Sequence, residues 1–142
     1  VVQELIRVTR GGGWVELVEG DIKAAQGGPA LNQIGAWIYD AVGRRGIDVN
    51  MCRQIGGMLR QGGLANVYQR EIRLPLGRRF GRVGAMMETN FMALFQGVKG
   101  LVVAMGIATP SEYEAALQEA VREMERGNPA GVLYIAYGQR VS

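Results

Sequence analysis

The sequence predicts an α/β fold in which three strands are separated by pairs of helices, and three observations carry that prediction. The first is the stretch Arg7–Glu19, where a helical pattern stops at Gly11-Gly12-Gly13 and the β-rich run Trp14-Val15-Glu16-Leu17-Val18-Glu19 begins. Second, apolar residues recur at helical spacing in several segments, whereas Leu64–Leu74 alternates with a period of two. Third, Gly, Pro and Asn mark nearly every change of period.

Taken in order, Val1, Leu5, Ile6 and Val8 form a short helical stripe that the three glycines end, because glycine accepts the left-handed dihedrals of a helix C-terminus. Trp14–Glu19 follows as a buried strand, central to the sheet. Gly20–Pro29 is a loop, and Leu31, Ile34, Ile38, Ala41 and Val42 define a helix from Ala30 to about Arg45. Asn50 caps the next helix, whose apolar face is Met51, Ile55, Met58 and Leu59 and whose end is Gly62-Gly63. Leu64–Leu74 is a less buried strand closed by Pro75, which has no N–H for a ladder. The long helix Val83–Met105 carries Met86, Met87, Phe91, Leu94, Phe95, Val98 and Leu101 over more than one stripe, which predicts two buried faces. Thr109-Pro110-Ser111-Glu112 reads as a capping box opening a further helix, with Tyr113, Ala116, Leu117, Ala120 and Met124 on its core face. Val132–Gly138 is the last strand.

Composition narrows the chemistry. The 142 residues suit one domain. The net charge of +3 is scattered in pairs such as Arg44-Arg45 and Arg78-Arg79, not gathered into the cationic face that nucleic acids require. The absence of His removes imidazole base catalysis and His metal ligation, and one cysteine, Cys52, permits neither an intrachain disulfide nor a Cys-rich metal site. A reducing, cytoplasmic setting is expected. The longest apolar run, Leu101–Ala108, falls far short of the ~20 residues a membrane span needs. A start at Val1, inside a helical pattern, predicts a piece of a longer protein.

The order of elements, with Leu5-Ile6-Arg7-Val8-Thr9-Arg10-Gly11-Gly12-Gly13-Trp14 and Leu59-Arg60-Gln61-Gly62-Gly63-Leu64, resembles the C-terminal half of a class I S-adenosylmethionine-dependent methyltransferase. In that family a helix ends in a phrase of the type Arg-Val-Leu-Lys-Pro-Gly-Gly before the fifth strand, and another ends Leu-x-x-Ala-Gly-Phe before the sixth. Here Gly11 stands where proline is usual. The Trp-Val-Glu wording is closest to a branch with long insertions after strands five and six. The resemblance covers nearly the whole chain, residues 1–142. It implies a partial Rossmann-like sheet made of the last three strands, the terminal one antiparallel, with helical lid insertions at about 30–45 and 83–126.

It further implies an enzyme acting on a small-molecule acceptor with S-adenosylmethionine as methyl donor. The donor would be held mainly by a glycine-rich loop and an acidic residue that precede this part of the family's domain. No cofactor-binding residue and no metal site are therefore expected in this chain, and no catalytic residue is assigned. Ligands of open α/β sheets sit beyond the carboxyl ends of the strands. This makes Glu16, Glu19 and Asp21 candidates to line the acceptor pocket, with a structural reading as solvated strand-end carboxylates beside it. Trp37 and Tyr39 are candidates to stack on an acceptor or to pack the lid, and Glu88 and Asn90 are the polar residues of the long apolar helix. Two other readings fit the same residues: a helical interaction or dimerisation module built on Val83–Met105, and a regulator that keeps the fold without activity. The open edge of a half sheet favours a homodimer.

Overall fold

The computed structural model describes all residues from Val1 to Ser142. It is an α/β chain with five α-helices and one three-stranded sheet. In chain order these are α1 (Val2–Val8), β1 (Trp14–Gly20), α2 (Pro29–Gly43), α3 (Ile55–Gln61), β2 (Ala65–Pro75), α4 (Gly81–Ala104), α5 (Pro110–Arg126) and β3 (Ala130–Gln139), with 3-10 turns at Val49–Gln54 and Arg78–Phe80. The residues group into two compact units. A sheet unit comprises Val1–Gly20, Asn50–Ile72 and Leu133–Ser142, and a helical unit comprises Asp21–Val49 and Arg73–Val132.

In the sheet unit the strand order is β1-β3-β2, and β3 runs antiparallel to β1 with Glu16 opposite Tyr137 and Glu19 opposite Tyr134. The last strand thus lies in the middle and β1 at an edge, which corrects the expectation of a central β1. The expectation of a buried β1 also fails. Val15 is buried and Leu17 half-buried, but Trp14, Glu16 and Val18 on the opposite side are exposed. The packed elements of this unit lie on one sheet face. Gln69 of β2 accepts from the Gly56 amide of α3 (2.7 Å), and Arg53 Nε donates to the Tyr134 hydroxyl of β3 (3.0 Å).

The glycine turn works differently from the expected helix stop. Helix α1 already ends at Val8, with Thr9 extended, and the left-handed residue is Gly12 (φ 78°) in the turn that follows. The carbonyls left open at the end of α1 are met by Arg140, whose Nη1 donates to Ile6, Arg7 and Thr9 oxygens at 3.0, 2.7 and 2.6 Å.

In the helical unit, α2, α4 and α5 enclose a core of Leu31, Ile34, Ile38, Phe95, Tyr113 and Met124. The capping box of α5 forms as expected: Thr109 Oγ1 accepts from Glu112 N (3.1 Å), and Glu112 Oε2 accepts from Thr109 N (2.9 Å). Helix α4 buries a single stripe, Gly84, Glu88, Phe91, Phe95 and Val102, at the three-to-four spacing of one helix face. Val83, Met86 and Leu94 remain exposed, so the expected second buried face is absent within the chain. No helix is long and apolar enough to cross a membrane.

Tyr113 is fully buried, donates its hydroxyl to Phe95 O (2.5 Å) and has its pKa pushed up to about 12, chiefly by burial and secondarily by Glu114. A phenol whose folded pKa lies above its unfolded one stabilises the fold fully below the unfolded value of 10.0, and that contribution is lost as pH rises through about 12. Thermal denaturation between pH 9 and 12 should therefore show a decline that Tyr113→Phe flattens. At neutral pH the same variant should cost about 1 kcal/mol for the lost hydrogen bond.

Candidate functional site

The loop that leaves β1 brings together two of the residues singled out by sequence. Asp21 is buried (7% exposed) immediately beyond Gly20, and its amide donates to Val132 O (2.9 Å). Its Oδ1 accepts the Lys23 amide (3.0 Å), a short-range turn of the kind Asp favours, and also the Tyr39 hydroxyl (2.6 Å) from α2. The Lys23 ammonium lies 4.2 Å from the centre of the Tyr39 ring, a cation–π contact. The stem of Lys23 also lies against Gly35, where a Cβ would come within 2.9 Å of its Cγ. A carboxylate, a phenol and an ammonium are thus collected at the end of a strand, all within the helical unit.

Helix α2 is placed by a contact that nothing in the local sequence announces. Its N-cap is Gly28 and its first residue Pro29, so no local side chain meets its open amides. Glu123 of α5 does so instead, accepting from Ala30 N (2.7 Å) and Leu31 N (2.9 Å). A carboxylate at a helix N-terminus is favoured by the hydrogen bonds and by the helix dipole. Gly28 is required by this approach, since a Cβ there would fall 2.5 Å from Glu123 Cδ. The only sequence signal was negative: a Gly-Pro helix start without a capping side chain.

The other sequence candidates divide. Trp37 stacks on Tyr113 at 5.7 Å and 23°, a contact between α2 and α5. Glu88 is buried (7% exposed) and fastens the Arg78–Phe80 turn, accepting from Arg78 N (3.0 Å) and Arg78 Nε (3.1 Å). Asn90 lies on the exposed side of α4. Glu16 and Glu19 are exposed on β1 and, three residues apart in a strand whose side chains alternate, face opposite sides of the sheet. Glu16 borders a shallow depression of about 310 Å³ with Trp14 and Tyr137. No group of three His, Cys, Asp or Glu side chains is placed to hold a metal ion. The glycine turn offers no cradle for a cofactor either. Gly12 N donates to Arg140 O (2.5 Å) and Gly13 N to Arg10 O (2.9 Å), so the turn's amides serve the fold.

These contacts carry two expectations for chemical or thermal denaturation. Glu123→Ala should destabilise the chain by about 2 kcal/mol, the scale of hydrogen bonds to a charged group, with Glu123→Gln intermediate. Glu88→Ala should cost a similar amount through the Arg78 amide. Arg78→Ala should cost under about 1 kcal/mol, because that guanidinium is mostly exposed and its ion pair is screened.

No protein-family model matches the chain. It is similar to the N-methyltransferase sirN of Leptosphaeria maculans, with 28% identity over 147 residues. That alignment takes in 98% of this chain and 52% of sirN, so the chain spans about half the length of the curated relative it matches. The likeness runs along nearly the whole sequence and relates the chain to a methyltransferase.

Proposed function

We propose that this chain is the C-terminal half of a class I S-adenosylmethionine-dependent methyltransferase domain and supplies its acceptor-side pocket and lid. The observation that carries the reading is the whole-chain likeness to an N-methyltransferase of about twice the length. The antiparallel pairing of β3 with β1 supports it, because the resemblance in sequence requires a reversed final strand. In this reading α2 (Pro29–Gly43), after β1, and α4 and α5 (Gly81–Ala104 and Pro110–Arg126), between β2 and β3, are the lid insertions expected at about 30–45 and 83–126. A small molecule is the acceptor in this reading, and the relative's name favours nitrogen as the atom methylated. A cytoplasmic setting accords with the chain's having a single cysteine, Cys52, which is buried and leaves no intrachain disulfide to form.

Methyl transfer is an in-line displacement: the acceptor's lone pair forms the new bond to carbon as the carbon–sulfur bond breaks, and the acceptor gives up a proton. The protein's contribution is alignment, together with a group that receives or orients that proton. Asp21 and Tyr39 are the groups we assign to the acceptor side. They lie just past a strand's carboxyl end, where open α/β sheets bind ligands, and their 2.6 Å hydrogen bond fixes the phenol. The residues present do not form a loop for the methyl donor, so the donor is assigned to the part of the domain outside this chain.

The test is made on the complete coding sequence. Calorimetry should show S-adenosylmethionine binding to the longer protein, and absence of binding there would refute the assignment. In that protein Tyr39→Phe should lower kcat about tenfold or more, within the range of lost acid–base assistance, with donor affinity unchanged. An unchanged kcat would remove Tyr39 from the acceptor site. A second reading, an interaction module, is favoured by one observation, the exposed Val83, Met86 and Leu94 on α4. Light scattering would favour it by finding a folded dimer that Met86→Glu dissociates and that the methyl donor leaves unaffected.

A further inference from the structure

One charge of the loop after β1 has no partner of opposite sign. The Lys23 ammonium rests over the face of the Tyr39 ring, 4.2 Å from its centre, and makes no hydrogen bond or ion pair. Asp21 Oδ1 takes the Lys23 amide and the Tyr39 hydroxyl instead, and Asp40, next to Tyr39 on α2, pairs with Arg44 (2.8 Å). The helix is shaped to admit this lysine. Gly35 is buried in the middle of α2, and a Cβ there would lie 2.9 Å from Lys23 Cγ. Glycine inside a helix costs stability relative to alanine, and an ordered lysine gives up side-chain freedom. A single cation–π contact at an exposed site returns less than the two together. An unbranched apolar side chain would cover Gly35 as well, so what lysine adds is the charge at its end.

We propose that Lys23 is the specificity residue of the acceptor site and that the acceptor is a molecule of amino acid type. Its carboxylate is held by the Lys23 ammonium, and its amine is presented to Asp21 and Tyr39. This rests on the reading that the chain is part of a methyltransferase with Asp21 and Tyr39 on the acceptor side. Two opposite charges flank one tyrosine: the cation lies over the ring face and the buried carboxylate accepts from the hydroxyl. That order is complementary to a small molecule whose amine and carboxylate are a few bonds apart. The ring face is the resting place of the ammonium, which an anion displaces because a charge-assisted hydrogen bond is the stronger contact.

The complete protein is assayed for S-adenosylhomocysteine formation from S-adenosylmethionine with the common L-amino acids and anthranilate, each beside its carboxamide. At least one acid should be methylated with kcat/KM about tenfold or more above that of its amide, the scale of one charge-assisted contact. Lys23→Met should remove this preference, with the loss falling on the acid's KM, and Lys23→Arg should restore it. Gly35→Ala, which pushes the Lys23 stem aside, should weaken the preference from a position beneath the lysine. The proposal is overturned if, with the methyl donor bound in calorimetry, no acid is methylated or acid and amide react alike. It is equally overturned if Lys23→Met slows acid and amide by the same factor, because Lys23 then serves only to hold Tyr39. Absence of donor binding is a different result, which removes the enzymatic reading itself and this proposal with it.

Discussion

The helical unit depends on one carboxylate. Helix α2 begins Gly28-Pro29 and brings no capping side chain of its own, and Glu123 reaches across from α5 to take the amides of Ala30 and Leu31. Burying α2 against α5 with those amides unmet would cost the desolvation of each, on the order of 1–3 kcal/mol per group. The contact therefore settles the relation of α2 to α5, and with it the position of everything α2 carries. Ile34, Ile38 and Ala41 enter the core fully buried. On the same helix Trp37 reaches Tyr113, and Tyr39 reaches Asp21.

The sheet unit has a corresponding fastening in Arg140. Its guanidinium takes three carbonyl oxygens at the end of α1, while its backbone pairs with the glycine turn through Arg140 N to Gly13 O (2.8 Å) and Gly12 N to Arg140 O. A short helix with no buried residue is held in this way, since α1 alone is too brief to persist in water. Gly12 and Gly13 of the turn serve this task through their backbone groups. Their proximity to β3 also explains why β1 finds its partner in the last strand.

The polar residues of the helical unit were separable only by their partners. Glu88 and Asp21 are both buried carboxylates. Glu88 accepts from Arg78 of the neighbouring turn, whereas Asp21 accepts from the Tyr39 phenol just after β1, the pair proposed for the acceptor side. Burial alone did not distinguish a structural acid from a candidate chemical one; the identity and place of the donor did. Asn90, which shares the helix of Glu88, faces outward and joins neither group.

Much of the fold was legible in the sequence because it is local. The capping box Thr109–Glu112, the period-two alternation of β2 and the stripe of α5 depend on residues a few positions apart, and they formed as read. Strand order, the exposure of β1 and the single buried stripe of α4 depend on which distant segments meet. Apolarity marks a residue as fit for burial without naming what buries it, so Trp14, Met86 and Leu94 were read as core and stand exposed in this chain. The candidate site divides the same way. The sequence by itself determined that Asp21 follows a strand and that Tyr39 lies on a helix. The tertiary structure decided that the two meet, because a hydrogen bond across 18 positions is set by a helix whose placement rests on a carboxylate some 90 residues further on.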